Sequence, residues 1–171
     1  MGSVKNDKFA LSLDTIRSFY EKNIQSKSNI PFHFSFLQDI NKKELPALTF
    51  IHTGEKQDEV NSGYSDHWLL LVYDKLFDSY GYQRFYDFGE SNSLINPVIL
   101  HPRRIQEFGS VVCGEYCLNF CDYFFSEKDE SEHVGANYCK IKGYSTNTKE
   151  NDEEVLRWFR ENDANTGFSN N

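Results

Sequence analysis

The chain has 171 residues, with 26 acidic against 18 basic side chains, a formal charge of -8 at pH 7, and an aromatic complement rich in Phe (15) and Tyr (10). That length suits one compact domain spanning residues 1–171 rather than two, with tails at about 1–8 and 164–171. The acidic excess disfavours nucleic acid as the main substrate, because phosphate contacts need clustered Lys and Arg.

No apolar stretch approaches the roughly 20 residues of a membrane span, and the opening MGSVKNDKF lacks the apolar centre of a signal peptide. The expectation is a soluble, intracellular protein with no membrane partner. Cys113, Cys117 and Cys121 fall at helical spacing, where side chains of one helix rarely have bridging geometry, so reduced thiols are expected.

In chain order, Phe9 to Ile24 carries Leu11, Leu13, Ile16, Phe19, Tyr20 and Ile24 near a helical stripe, with Ser12 or Asp14 as caps. Ile30, Phe32, Phe34 and Phe36 alternate as an extended segment would, and Ala47 to His52 reads as a short strand before an exposed polar loop. His67 to Tyr73 is a nearly continuous apolar run of strand length, DKLFDSYG a turn, and Tyr82 to Phe88 the returning strand of a hairpin. Val98 to Leu100 is a third short strand, ended by Pro102. Cys113 to Phe125 reads as a buried helix, since Cys117, Phe120, Cys121 and Phe124 repeat at three and four residues; a last helix covers about Asp152 to Arg160.

Cys113 stands where a loop containing Gly109 and Ser110 meets the predicted helix, near the positive end of its dipole, an environment that favours thiolate. A thiol nucleophile also needs a base, a group to orient the base, and donors for the oxyanion. Pairing Tyr73 with Gly81 across the predicted turn puts His67 opposite Asp87, at a Cβ separation of about 4.5–5.5 Å. Asp74 and Asp78 fall in the turn, on the order of 20 Å away at about 3.3 Å per residue, and are set aside; a bulge would turn Asp87 away and leave Glu90 as the reserve. His33, His52, His101 and His133 have no acid placed opposite by this geometry. Gln106, seven residues ahead of Cys113, offers its side-chain amide as an oxyanion donor beside the Cys113 backbone N–H.

Each of these residues also has a plain structural reading: a small buried thiol, a strand-edge histidine, a solvated loop glutamine. Trp68 is either core packing or a cap over the site. Cys113, Cys117, Cys121, Cys139 and His133 were weighed as metal ligands, but three thiols over two helical turns drift round the axis, unlike paired zinc cysteines, and no metal is expected. Cys117 and Cys121 read as core, and Cys139 stays open between buried and exposed.

HW, then an acid after a hairpin, then Q-x6-C-G-x-x-C resembles the adenovirus-type maturation proteases (adenain) and, more distantly, the ubiquitin-like-protein proteases, over about His67 to Phe124. The resemblance implies an α+β, papain-like fold in circularly permuted order, with a central mixed sheet and the nucleophile at the N-terminus of a buried helix. It implies His67 as general base, Asp87 as orienting acid, Gln106 as oxyanion donor and Cys113 as nucleophile, with Trp68 and Gly114 beside the substrate. Val112 stands where the SUMO-processing branch carries Asp, which favours the viral branch.

Relatives of that branch trim capsid or core precursors, commonly after small residues such as glycine. The implied function is therefore a cysteine endopeptidase of virion maturation, located in the virion and the infected cell, with a precursor protein as its partner. Adenain takes DNA and a disulfide-tethered peptide as cofactors. This acidic chain has no cysteine between Asp87 and Cys113, so neither cofactor is carried over. The alternatives are a protease for a ubiquitin- or SUMO-like modifier and a catalytically idle scaffold or binding protein of the same fold. Oligomeric state and cleavage motif are not encoded in any motif recognised above.

Overall fold

The computed structural model describes residues 10–40, 45–54, 67–81, 86 and 88–164. Five helices and a five-stranded mixed sheet make an α+β architecture. In chain order these are α1 (Leu13–Asn23), α2 (Gln25–Ser28), β1 (Phe34–Phe36), β2 (Leu48–His52), β3 (Trp68–Val72), β4 (Lys75–Phe77), β5 (Asn96–Pro97), α3 (Cys113–Glu127), α4 (Val134–Lys142) and α5 (Thr148–Ala164). The sheet order follows the chain, β1 to β5; the two outer pairings are parallel and the two inner ones antiparallel.

Both faces of the central strands are covered, so β2 and β3 are buried at every position, and β3 is apolar throughout rather than alternating. Leu48, Phe50, Trp68, Leu70, Val72 and Phe77 face the helical side, whereas Ile51, Leu69, Leu71 and Leu76 join Ile40, Phe88 and Ile95 in a smaller cluster behind the sheet. α3 lies across β3 on the helical side and is buried along most of its length from Cys113 to Phe124. Phe77 stacks on Phe120 with centroids 4.5 Å apart, and Tyr138 of α4 meets both rings edge-on. Such aromatic pairs add about 0.5–1.5 kcal/mol each beyond the area they bury.

α1 begins as the sequence suggests: Ser12 is its N-cap, and its side chain accepts from the Thr15 N–H. α1 then crosses close to the start of α3 at Gly114, where an added Cβ would stand 3.2 Å from Ile16 Cδ1 and 3.3 Å from Leu11 Cβ.

The hairpin differs from the expected one. β3 turns back through only Tyr73 and Asp74, so Val72 pairs with Lys75 and Leu70 with Phe77. Tyr73 adopts φ 56, a conformation bulky residues rarely take, and its ring rests against Phe124 and Phe125 of α3. Packing against α3 thus overrides local turn preference, and residues read as turn form β4. Of the expected returning strand Tyr82–Phe88, residues 82–85 and 87 lie outside the described residues. β5 also sits slightly earlier than the Val98–Leu100 strand expected.

No helix of the described residues is long and apolar enough to cross a membrane.

Candidate active site

His67 immediately precedes β3, and Asp78 immediately follows β4. The short hairpin therefore brings them side by side: His67 Nε2 lies 2.8 Å from Asp78 Oδ1, with both side chains buried. This corrects the exclusion of Asp78, which rested on a turn placed several residues too late. Asp87, the acid expected from that register, lies outside the described residues, as does the side chain of Glu90.

Asp78 is well supplied with donors. Its Oδ1 also accepts from the Tyr80 N–H (2.9 Å), closing an Asx turn, and its Oδ2 accepts from the Tyr86 hydroxyl (3.1 Å). With Nε2 committed to the carboxylate, Nδ1 is the nitrogen left for a second partner, and the Cys113 sulfur lies close enough for its charge to act on the imidazole. The same sulfur accepts from the Trp68 N–H at 3.4 Å, so strand β3 and the first residue of α3 are fastened at the sulfur. One turn along, Cys117 Sγ donates to the Trp68 carbonyl at 3.4 Å.

Electrostatics follow from this geometry. Burial alone would lower the His67 pKa, but the negative charge of an ionised Cys113 and the hydrogen bond to Asp78 outweigh it and raise the value from 6.5 to about 9. The arrangement holds a proton on the imidazole beside the sulfur. By contrast, burial pushes the Cys117 and Cys121 thiols well above their ordinary range and Cys139 up to about 11, so all three are inert packing.

Gln106 is fully buried, not a solvated loop residue. Ser79, the neighbour of Asp78, donates its hydroxyl to Gln106 Oε1, and the Ser79 carbonyl accepts from the Ile105 and Gln106 N–H groups at 3.0 and 3.2 Å. The hydroxyl fixes which way the amide points: Nε2 faces Ser110, contacting its carbonyl at 3.0 Å and its Oγ at 3.1 Å. Asp78 and Ser79 thus anchor the imidazole and the glutamine from two consecutive positions.

The turn carrying that pair depends on Gly81. It has φ +77, and a Cβ there would fall 1.5 Å from the Arg103 carbonyl oxygen, so only glycine lets the turn press against the segment leading to Gln106.

The loop from Gln106 to Cys113 is tied to α5. Asp152 Oδ1 accepts from the Glu107 N–H (3.3 Å) and the Tyr116 hydroxyl (2.8 Å), and Thr148 donates to Glu107. Burial raises the Asp152 pKa to about 6 despite these donors. Sequence reasoning did not single out Ser79, Ser110 or Asp152; the D-S-x-G turn was the one local signal for the first.

Trp68 and Gly114 are both enclosed, Trp68 as its packing reading would have it. Trp68 is 1% exposed; its indole donates to the Leu11 carbonyl (2.9 Å) and its ring meets Phe34 and His52. Gly114 faces Leu11 and Ile16. Both are covered by the segment entering α1, so they serve as packing in this arrangement rather than as an open substrate wall. His133 lies at the N-terminus of α4, and among the described residues no three or more His, Cys, Asp or Glu side chains group as a metal ion would require.

Chemically, the group at Cys113 offers a sulfur nucleophile, a proton carrier and a carboxylate that orients the carrier, with helix amides and a buried carboxamide nearby. Compared with known proteins, the chain matches no family model and no curated protein.

Proposed function

We propose that the chain is a cysteine endopeptidase with a papain-like fold in circularly permuted order, similar to the adenain-type maturation proteases. The observation that carries this reading is the buried series Cys113, His67, Asp78, in which the imidazole is hydrogen-bonded to the carboxylate and lies where the charge of the sulfur acts on it. The Cys113 thiolate attacks the scissile carbonyl, and His67 returns a proton to the departing amine. Water then adds to the thioester, with His67 as base, and releases the acid. The Cys113 N–H, one of the helix's first amides without an intrahelical acceptor, and Gln106 Nε2 receive the oxyanion. For this, Gln106 exchanges its contact with Ser110 Oγ for the substrate oxygen.

The substrate class is a capsid or core precursor cut next to small residues such as glycine, in the virion or the infected cell. Alkylation tests the site: at neutral pH iodoacetamide should modify Cys113 far faster than Cys117 or Cys121, and Cys113→Ala should abolish peptide cleavage. Equal labelling rates, or turnover retained in Cys113→Ala, would refute the assignment. Co-expression with capsid precursors, followed by mapping of new termini, tests the substrate. Capture instead by an electrophilic probe built on a ubiquitin-like modifier would redirect it.

A further inference from the structure

The loop between the oxyanion donor and the nucleophile carries an aromatic ring that the core does not use. Phe108 is 62% exposed, the most exposed of the large apolar side chains among the described residues. A single exposed apolar residue is ordinary. Phe108 is distinguished by how firmly it is held and by what it leads to. The Arg104 guanidinium lies 3.6 Å from its ring centroid, and the same guanidinium donates to the Gln106 carbonyl at 2.7 Å, which fixes the cation to the backbone of the glutamine. Phe108 also stacks with Tyr80 (5.8 Å, 29°), and Tyr80 stacks with the His67 imidazole (4.8 Å, 21°). A continuous row of rings runs from the base to the exterior, ending in a cation.

The chemistry states what passes along this row. When the thiolate forms its bond to the carbonyl carbon, the C–N bond breaks only as the nitrogen takes a proton from His67, so the leaving nitrogen must sit within hydrogen-bond reach of that imidazole. The acyl half stays on Cys113, at the start of α3. The residue bearing the nitrogen departs on the imidazole side. Tyr80 already covers one face of the imidazole, so a departing side chain meets the next ring outward.

Resting on the peptidase reading, we propose that Phe108, backed by Tyr80 and steadied by Arg104, forms a leaving-side subsite. It takes a large apolar or aromatic side chain on the residue immediately after the scissile bond. Because Arg104 holds the ring in place, the surface is formed before substrate arrives.

The test uses the full chain and peptides that share one glycine-ending acyl half and vary the next residue through Gly, Ala, Leu and Phe, together with the methyl ester of that acyl half. In the wild-type chain kcat/KM should rise by about tenfold or more from Gly to Phe. Phe108→Ala should erase that preference while leaving ester hydrolysis within about twofold, and Phe108→Tyr should restore it. Folding of each variant is checked by its thermal midpoint. A preference that survives Phe108→Ala, or a uniform slowing of peptides and ester alike, would overturn the subsite. Absence of hydrolysis of peptides and ester in the wild-type chain would overturn the peptidase reading and the subsite with it.

Discussion

At the scale of single residues, Asp78 is the side chain on which most turns. Its hydrogen bond raises the His67 pKa, so Asp78→Asn should lower that pKa and draw the alkaline limb of the kcat/KM profile from about 9 toward neutrality, with kcat down on the order of 10²-fold. Asp87→Asn should leave both limb and rate nearly unchanged, because His67 Nε2 is already committed to Asp78. Equal losses in the two variants would show that Asp78 is not the orienting acid. Ser79 acts one step removed. In Ser79→Ala the buried Gln106 Oε1 loses its donor, a loss of about 1–3 kcal/mol, and the amide is free to turn over. The expected readout is a fall in kcat with KM and the pH limbs unmoved, since the imidazole is untouched. Cys113, His67 and Gln106 could be picked out as candidates in the sequence because residue type and chain order point to them. Asp78 and Ser79 could not, because their roles depend on where one turn falls.

At the scale of elements, that turn shows what sequence patterning reaches and what it does not. The apolar runs of β2, β3 and α3, and the Ser12 cap of α1, could be read because each signal is contained in its own segment. The hairpin could not: nothing in V-Y-D-K advertises a two-residue turn, and Tyr73 tolerates φ 56 with its ring seated on Phe124 and Phe125. α4 also escaped, its apolar positions being few and its buried faces set by Tyr138 and Cys139. The start of α5 was there to be read, as Asn147 caps the Glu150 N–H three residues on. Gly81 governs the element that carries Asp78 and Ser79. Gly81→Ala should destabilise the fold by roughly 2–4 kcal/mol, read from the urea midpoint, because φ +77 and the Arg103 carbonyl both oppose a methyl group. Residual folded variant should show reduced turnover as well, since the segment carrying Gln106 is pushed away from Ser79.

At the scale of the whole molecule, two buried groups give stability a pH dependence of defined sign. His67 binds its proton more tightly when folded, so its contribution is complete below about 6.5 and is lost as pH rises through about 9. Asp152 also favours its protonated form in the fold, so its contribution is present below about 3.8 and is lost as pH rises through about 6. Thermal midpoints of Asp152→Asn should therefore lack the step between about 3.8 and 6, and those of Cys113→Ala should show a smaller step on the alkaline side, the main charge holding the imidazole proton having gone. An unchanged midpoint profile in Asp152→Asn would mean that the carboxylate is solvated. The point where α1 enters the fold has a mechanical meaning beyond packing. Leu11 leans on Gly114, and its carbonyl holds the indole of Trp68, the residue whose backbone N–H donates to the Cys113 sulfur. A bulky fusion ahead of residue 10 would press on Leu11 and so on the contacts that hold Cys113, whereas the far end of α5 offers an attachment point several helical turns from the Asp152 tether.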